Sequence, residues 1–187
     1  LAGADRHPSR FVAVVRPQPP TAGGEFGWSL PQGDDPLPLT ALEGLLGQVG
    51  INWVKFPVWY DESAQGRAEQ LTLFAERLDT PKVKVVGVLS QPPPAARSLF
   101  SEGADHLPAA SVFVDAEVWY PPLADVLTRL SMNISWWQLG DDNDTSFMGH
   151  PQLVDKIQKI ATQMGQFGQT IHLALGWRWV NELPADA

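Results

Sequence analysis

Apolar runs and amphipathic helical stretches alternate along most of this chain, and this alternation constrains the fold more than any other feature of the sequence. Five segments rich in β-branched and aromatic residues are predicted as strands, over 11–16, 51–60, 83–89, 134–139 and 170–180. Apolar residues at helical spacing predict four intervening helices, over 39–49, 67–78, 119–130 and 150–167. Such alternation is typical of an α/β fold with a parallel sheet and right-handed crossovers.

Glycine and proline residues mark where several of these elements end. Gly50 is expected to end the first helix and Gly168 the last, and the third helix is expected to begin after Pro121-Pro122. Residues 17–38 are predicted as a Pro/Gly-rich loop, in which residues 25–28 form a short strand or an ordered segment. The predicted strands are continuous apolar runs, which is typical of strands covered on both faces.

The composition of the chain excludes several classes of function. The 187 residues are 44% hydrophobic and 18% charged, which suits a single domain over 1–187. A net charge of −8 without a basic cluster argues against a nucleic-acid partner. No apolar stretch reaches about 18 residues, so no membrane partner is predicted. The absence of cysteine excludes disulfides and thiol catalysis and leaves the compartment open, with secretion and the periplasm included.

Two architectures fit the predicted alternation: a doubly wound open sheet and part of a (β/α)8 barrel. A doubly wound nucleotide-binding domain has a glycine-rich turn after its first strand, and neither GxGxxG nor GxxxxGK[ST] is present. Polar and aromatic residues instead end or follow four strands, in the segments 55–62, 90–91, 141–144 and 177–179. A barrel would gather these residues at its carboxyl-terminal face, where barrel enzymes hold their sites. We therefore predict a partial (β/α)8 TIM barrel with about five parallel strands.

Two segments resemble motifs of the retaining glycoside hydrolases with (β/α)8 barrels, the clan that includes cellulase-like and xylosidase-like enzymes. Residues 50–58, GINWVKFPV, resemble the second-strand pattern of that clan, G-hydrophobic-N-x-V-R-F-P. Residues 137–143, WQLGDDN, resemble its fourth-strand pattern W-Q-[IL]-G-N-E-P, whose Glu is the general acid/base. The resemblance covers roughly residues 25–180. It implies a carbohydrate ligand and a hydrolytic activity on glycosidic bonds, and it implies no cofactor and no metal.

The resemblance also implies roles for residues at the strand ends. Asp142 takes the position of the general acid/base, Asp141 that of the neighbouring residue that contacts the substrate, and Lys55 gives electrostatic support. Five further residues are expected to line the sugar subsites: Trp59, Trp137, Gln138, Trp177 and Trp179. About half of the tryptophans near the strand ends, a set that also includes Trp136, are expected to pack in the core instead. In this clan the nucleophile lies on a seventh strand, whereas about five strands are predicted here. The chain is therefore expected to be the N-terminal part of a larger barrel, inactive without the remainder of its parent polypeptide.

The same motifs depart from the pattern of the clan. Asp141-Asp142 replaces Asn-Glu, which shortens the acid/base by one methylene group and removes an amide donor. Lys55 replaces an arginine and lacks its bidentate fork. A second interpretation follows, in which the chain is a catalytically degenerate domain that binds carbohydrate or acts as a scaffold in a larger protein. A third interpretation is a self-contained open α/β domain with a small-molecule site.

Other roles are open to the acidic residues near the strand ends. Residues 141–144, DDND, offer oxygen ligands for Ca²⁺ or Mg²⁺, although the EF-hand spacing is absent. Within this run Asp144, or the Thr145 that follows, is equally expected to cap the next turn or helix. Glu182 belongs to an Asn-Glu pair after the last predicted strand and is an alternative acid/base. His150 and His172 are expected to be structural.

Overall fold

In the computed structural model, the described part of the chain is an α/β fold with a five-stranded parallel sheet. The described residues are 23–61, 64, 66–100, 106–165, 170–178 and 181–182. The strand predicted over 11–16, the helix stop predicted at Gly168 and the predicted subsite residue Trp179 lie outside them. Across the same ranges, no helix combines the length and the hydropathy that a bilayer crossing requires.

Strands and helices alternate from residue 27 to residue 175. The strands are β1 (Gly27–Ser29), β2 (Trp53–Pro57), β3 (Lys84–Leu89), β4 (Trp136–Leu139) and β5 (His172–Leu175). The helices are α1 (Leu39–Leu46), α2 (Arg67–Asp79), α3 (Pro94–Arg97), α4 (Ala109–Val112), α5 (Ala116–Leu130) and α6 (Leu153–Met164). The predicted alternation is confirmed from α1 onwards. The first described strand, β1, overlaps residues 25–28, for which a short strand or an ordered segment is predicted within the loop 17–38.

Each strand pairs with the strand that follows it in the chain. The sheet order is β1-β2-β3-β4-β5, and every pair is parallel. The longer helices contact one another in the same order, α1 with α2, α2 with α5, and α5 with α6. Right-handed crossovers between successive neighbours place the connecting helices on one side of a sheet, and these contacts fit such a single layer. A doubly wound sheet instead reverses its strand order and carries helices on both faces.

The helix-facing side of the sheet holds the main core. Val54 and Phe56 of β2 are fully buried, and the Phe56 ring lies 5.0 Å from the Phe74 ring of α2. Trp137 and Leu139 of β4 are also fully buried and share this face through the strand register. Burial of these large apolar side chains between sheet and helices stabilises the fold.

The opposite side of the sheet, here called the open face, is only partly covered by the described residues. It carries, among others, the side chains of Ser29, Trp53, Lys55, Lys84, Trp136, Gln138 and His172. The Trp53 and Trp136 rings are 5.5 Å apart, edge to face, and His172 stacks on Trp136 at 4.4 Å. Because Lys84 and His172 are exposed, the expectation that the strands are covered on both faces is wrong for the described residues.

Helix ends differ from the sequence-based expectations at α1 and α6. Helix α1 ends at Leu46, where the N–H of Gly47 donates to the Glu43 carbonyl, so Gly47 ends the helix instead of Gly50. Gly50 has a φ of 75° and lies in the connection to β2. Helix α6 covers 153–164 of the predicted 150–167 and is followed by Gly165.

Helix α5 begins at Ala116, so the predicted start after Pro121-Pro122 is wrong. The Asp115 side chain caps the helix by accepting a hydrogen bond from the N–H of Glu117. The two prolines then lie inside the helix and remove two backbone hydrogen bonds. Trp119 and Leu123, which flank the prolines, are almost fully buried, and their burial offsets the lost hydrogen bonds.

Replacing Phe56 by alanine is expected to lower the free energy of unfolding by about 3–5 kcal/mol, because the change leaves a cavity between the sheet and α2. Phe26 is 80% exposed, and Phe26→Ala should change the same quantity by less than about 0.5 kcal/mol. Urea unfolding of both variants measures the difference. Equal losses would contradict the assignment of the helix-facing side of β2.

Candidate functional site

The Asp142 carboxylate joins three strands near their carboxyl ends. Its Oδ2 accepts a hydrogen bond from Ser29 Oγ at 2.6 Å. Its Oδ1 accepts hydrogen bonds from Lys55 Nζ at 2.7 Å and from Gln138 Nε2 at 3.0 Å. The donors belong to β1, β2 and β4, so residues far apart in the sequence meet here. Of the residues predicted to form a site, the structure brings Lys55, Gln138 and Asp142 together.

Strand register and side-chain alternation explain why these donors meet. Ser29 pairs with Lys55 across β1 and β2, and paired residues of neighbouring strands share a face. Lys55 lies between the buried Val54 and Phe56, so its side chain is directed to the open face. Gln138 likewise alternates with buried neighbours in β4 and is itself only 2% exposed.

Gly140 makes the turn that carries the chain from β4 to Asp142. Its φ is +79°, and a Cβ at this position would lie 2.8 Å from the Asp144 side chain and 2.9 Å from the Ala109 Cβ. Gln138 Nε2 also donates to the Gly140 carbonyl at 3.2 Å. The fourth-strand motif therefore requires glycine here for its backbone conformation and for space.

The Asp142 carboxyl group is ionised at neutral pH. Burial by itself raises its pKa, but hydrogen bonds from Lys55, Ser29 and Gln138, together with the Lys55 charge, outweigh burial and lower the pKa to about 2. A general acid must hold its proton at the working pH, and a carboxyl group with this pKa does not. The arrangement suits a hydrogen-bond acceptor.

A small cavity of about 30 Å³ lies beside Asp142. Its walls are formed by Ser29, Leu30, Pro31, Lys55, Pro57, Val88, Ser90, Asp141 and Asp142. The volume admits water and is too small to enclose a sugar ring, so a larger ligand would lie across its mouth. Larger grooves of about 390 and 570 Å³ lie in the helix layer, at α1 and α2 and at α5 and α6. A third groove of about 320 Å³ lies between Tyr60, Pro93 and Pro122. None of the three contains a predicted site residue, and the strand-end cavity is therefore the candidate site.

The neighbouring aspartates have other partners. Asp141 Oδ1 accepts a hydrogen bond from the N–H of Asn143 at 2.8 Å and closes a tight turn. Asp144 is 7% exposed and accepts hydrogen bonds from the N–H groups of Ala109 and Ser146 at 2.7 and 2.9 Å. Asp144 thus caps the turn that follows it, as considered from the sequence, and also binds the start of α4. The three carboxylates do not converge, and within the described ranges no three His, Cys, Asp or Glu side chains are grouped closely enough to hold a metal ion.

Trp137 lies in the core and not at the site. It is fully buried on the helix-facing side of β4, and its Nε1 donates to the Ile134 carbonyl at 3.1 Å. A ring in this position has no face free for a sugar. The stacking role expected for Trp137 is therefore not available to it in this structure.

The other two predicted tryptophans in the described ranges are half-buried. Trp59 Nε1 donates to the Pro122 carbonyl at 3.3 Å, and its ring packs against Phe100 and Phe113. Trp177 Nε1 donates to the Asn181 carbonyl at 3.3 Å, which holds the chain after β5. Both rings have a structural contact, and a part of each is accessible. Subsite roles for Trp59 and Trp177 stay predictions.

Ser29 and Trp136 face the site side of the sheet and were missed by the sequence-based prediction. Ser29 lies in the predicted loop 17–38, and no pattern in the sequence indicates that it pairs with Lys55. Trp136 did have a signal. Residues two apart in a strand share a face, so Trp136 accompanies Gln138, whereas Trp137 cannot.

Comparisons with known proteins do not assign this chain to a family. Searches against models of protein families, curated proteins and solved structures gave no significant match. The resemblance to retaining glycoside hydrolases thus depends on the two sequence motifs alone.

Replacing Lys55 by methionine is expected to raise the pKa of Asp142 from about 2 toward its ordinary value of 3.8, because the variant lacks both the hydrogen bond and the charge. A carbon-13 NMR titration of the side-chain carboxyl group measures the midpoint. Lys84→Met is the control, since Lys84 lies on the same face but over the Trp53 ring. An Asp142 midpoint that is the same in both variants would contradict the assigned contacts.

The lowered pKa also makes the stability of the fold depend on pH. Because the folded-state pKa lies below the unfolded one, the contribution of Asp142 is complete above about pH 4 and is lost as the pH falls toward about 2. Both partners are substantially exposed, and solvent screening reduces the contribution to roughly 1 kcal/mol. Urea unfolding between these pH values should therefore show a smaller loss in Asp142→Asn than in the unsubstituted chain. Equal losses would show that the ion pair adds nothing.

Proposed function

We propose that this chain is the N-terminal part of a glycoside hydrolase-like (β/α)8 barrel whose strand-end site binds carbohydrate, with Asp142 as an ionised acceptor and not as a general acid. The observation that carries the proposal is the Asp142 carboxylate, held by side chains from three strands at the position where the resembled motif has its acid/base.

The sheet topology supports the barrel part of the proposal. Sequential order, parallel pairing and a row of contacting helices are what the first strands of a (β/α)8 barrel would have. The open face would then be the interior of the barrel. Its side chains lie in rows across neighbouring strands, and one row contains Ser29, Lys55, Val86, Trp136 and His172. Rows of inward side chains are the usual filling of such barrels.

The hydrogen-bonding capacity of the site supports a polyhydroxylated ligand. Lys55 has three N–H donors and uses one on Asp142. Among the described side chains, Ser29 alone donates a hydrogen bond to Asp142 Oδ2. Both side chains are about 40% exposed, so their remaining donors and lone pairs face solvent. A sugar hydroxyl can accept from one partner and donate to the other. Charge-assisted hydrogen bonds of this kind are stronger than neutral ones.

The charge state of Asp142 supports binding over hydrolysis. Retaining hydrolysis needs a carboxyl group that protonates the leaving oxygen and a second carboxylate about 5 Å away as nucleophile. The low pKa of Asp142 opposes the first role. Asp141, the nearest carboxylate in sequence, is engaged in its own turn. Binding without turnover is therefore the leading function.

Hydrolysis is the second candidate, and the convergence of the motifs favours it. The second-strand lysine and the fourth-strand aspartate are 87 positions apart and meet at 2.7 Å, as a shared catalytic face would require. In that case the remainder of the parent polypeptide would supply the nucleophile. Hydrolysis of an oligosaccharide by the parent protein, abolished by Asp142→Asn, would establish this candidate and displace the first.

Adding neutral oligosaccharides is expected to shift the NMR signals of Ser29, Lys55 and the 138–142 turn. Tetramers of glucose, xylose, mannose and galactose form the panel, and the isotope-labelled 187-residue chain is the sample. The tetramer that causes these shifts is called the active tetramer. Lys55→Met should weaken its binding roughly tenfold, because the variant lacks the charged hydrogen bonds of Lys55. Reducing-end assays of the parent protein with the same tetramers should show no turnover.

The Lys84→Met variant serves again as the control, since Lys84 shares the open face without contacting Asp142. It should bind the active tetramer as the unsubstituted chain does. Two results would contradict the proposal: shifts that leave residues 29, 55 and 138–142 unchanged with every tetramer, and equal weakening by both lysine variants.

A further inference from the structure

We propose that the strand-end site prefers sugars that carry a protonated amine, and that Asp141 is the residue that selects them. This inference rests on the proposed carbohydrate function and specifies the class of ligand.

The balance of charge in the cavity is the first observation. One cation and two carboxylates line it: Lys55, Asp141 and Asp142. Lys55 and Asp142 lie 2.7 Å apart and largely neutralise each other. The site therefore carries one excess negative charge, which belongs to Asp141.

The contacts of Asp141 are the second observation. Its Oδ1 accepts the N–H of Asn143 at 2.8 Å, which fixes the orientation of the carboxylate. The ion pairs of the described ranges are Lys55–Asp142, Arg67–Asp34, Arg77–Glu43 and Arg129–Asp125, so no described cation is paired with Asp141. The side chain is half-exposed and lines the same cavity as Lys55. Its Oδ2 is thus placed to accept a donor from a ligand.

A carboxylate can only accept hydrogen bonds, and its strongest donors are charged. A hydroxyl group satisfies Asp141 weakly, whereas an ammonium group supplies both a donor and the missing positive charge. The hydroxyls of the same sugar would serve Lys55 and Asp142. An acidic sugar would instead meet the excess negative charge of the site and the net charge of −8 of the whole chain, which disfavour its approach.

Three tetramers with one linkage test the preference: 2-amino-2-deoxyglucose, its N-acetylated form and glucose. Calorimetric titration of the 187-residue chain at mildly acidic pH, where the amines are protonated, is expected to give at least roughly fivefold tighter binding of the amino tetramer. Raising the salt concentration should reduce this advantage, because an exposed ion pair is screened.

Two variants that each remove one negative charge show which residue causes the preference for the amino tetramer. Asp141→Asn should remove the advantage of the amino tetramer, so that the amino and glucose tetramers bind this variant with affinities within about twofold of each other. Glu76→Gln removes the same charge from an exposed position on α2 and should preserve the advantage.

The outcomes separate this inference from the function on which it rests. Equal affinity for the amino and glucose tetramers, or an advantage that Glu76→Gln reduces as much as Asp141→Asn does, would overturn the inference and leave carbohydrate binding intact. No binding of any tetramer at residues 29, 55 and 138–142 would overturn both. A full set of heteronuclear spectra shows whether each variant is folded, so loss of structure is not mistaken for loss of selection.

Discussion

Pairing of each strand with its immediate successor is the constraint on which the rest of this structure depends. Because β1 to β5 follow in order and all run parallel, their carboxyl ends meet along one edge of the sheet. The helices form a row on one side, and the other side keeps an open face with aromatic and charged side chains. The candidate site forms because β1, β2 and β4 place Ser29, Lys55 and Gln138 close together at that edge.

The Asp142 carboxylate is the group that the strand order surrounds with polar side chains. It accepts three side-chain hydrogen bonds, remains ionised and ties β1, β2 and the turn after β4 together. The same contacts that order the site lower the pKa of Asp142, whereas a general acid needs a pKa high enough to keep its proton. This opposition favours a binding role for the site, with Asp141 as the carboxylate left to meet a ligand.

Much of the fold was predictable, because apolar periodicity directly reflects which side chains are buried. The strand–helix alternation followed from that pattern, whereas the expectation that Lys55 and Asp142 gather at one end of the sheet came from the parallel topology and the resembled motifs. The start of α5 did not, since burial of Trp119 and Leu123 outweighs the local cost of two prolines. Ser29 could not be found at all, because strand pairing decides its neighbours. The choice of Trp137 as a subsite was an avoidable error, since alternation alone places it opposite Gln138.

A crystal structure of the chain with a bound oligosaccharide would test the central claim most directly. The account predicts an intact glycosidic bond, with one sugar hydroxyl within hydrogen-bond distance of both Lys55 Nζ and Asp142 Oδ2 at the mouth of the strand-end cavity. A sugar bound elsewhere on the molecule, or a cleaved product with Asp142 released from Lys55 and placed against the leaving oxygen, would contradict it.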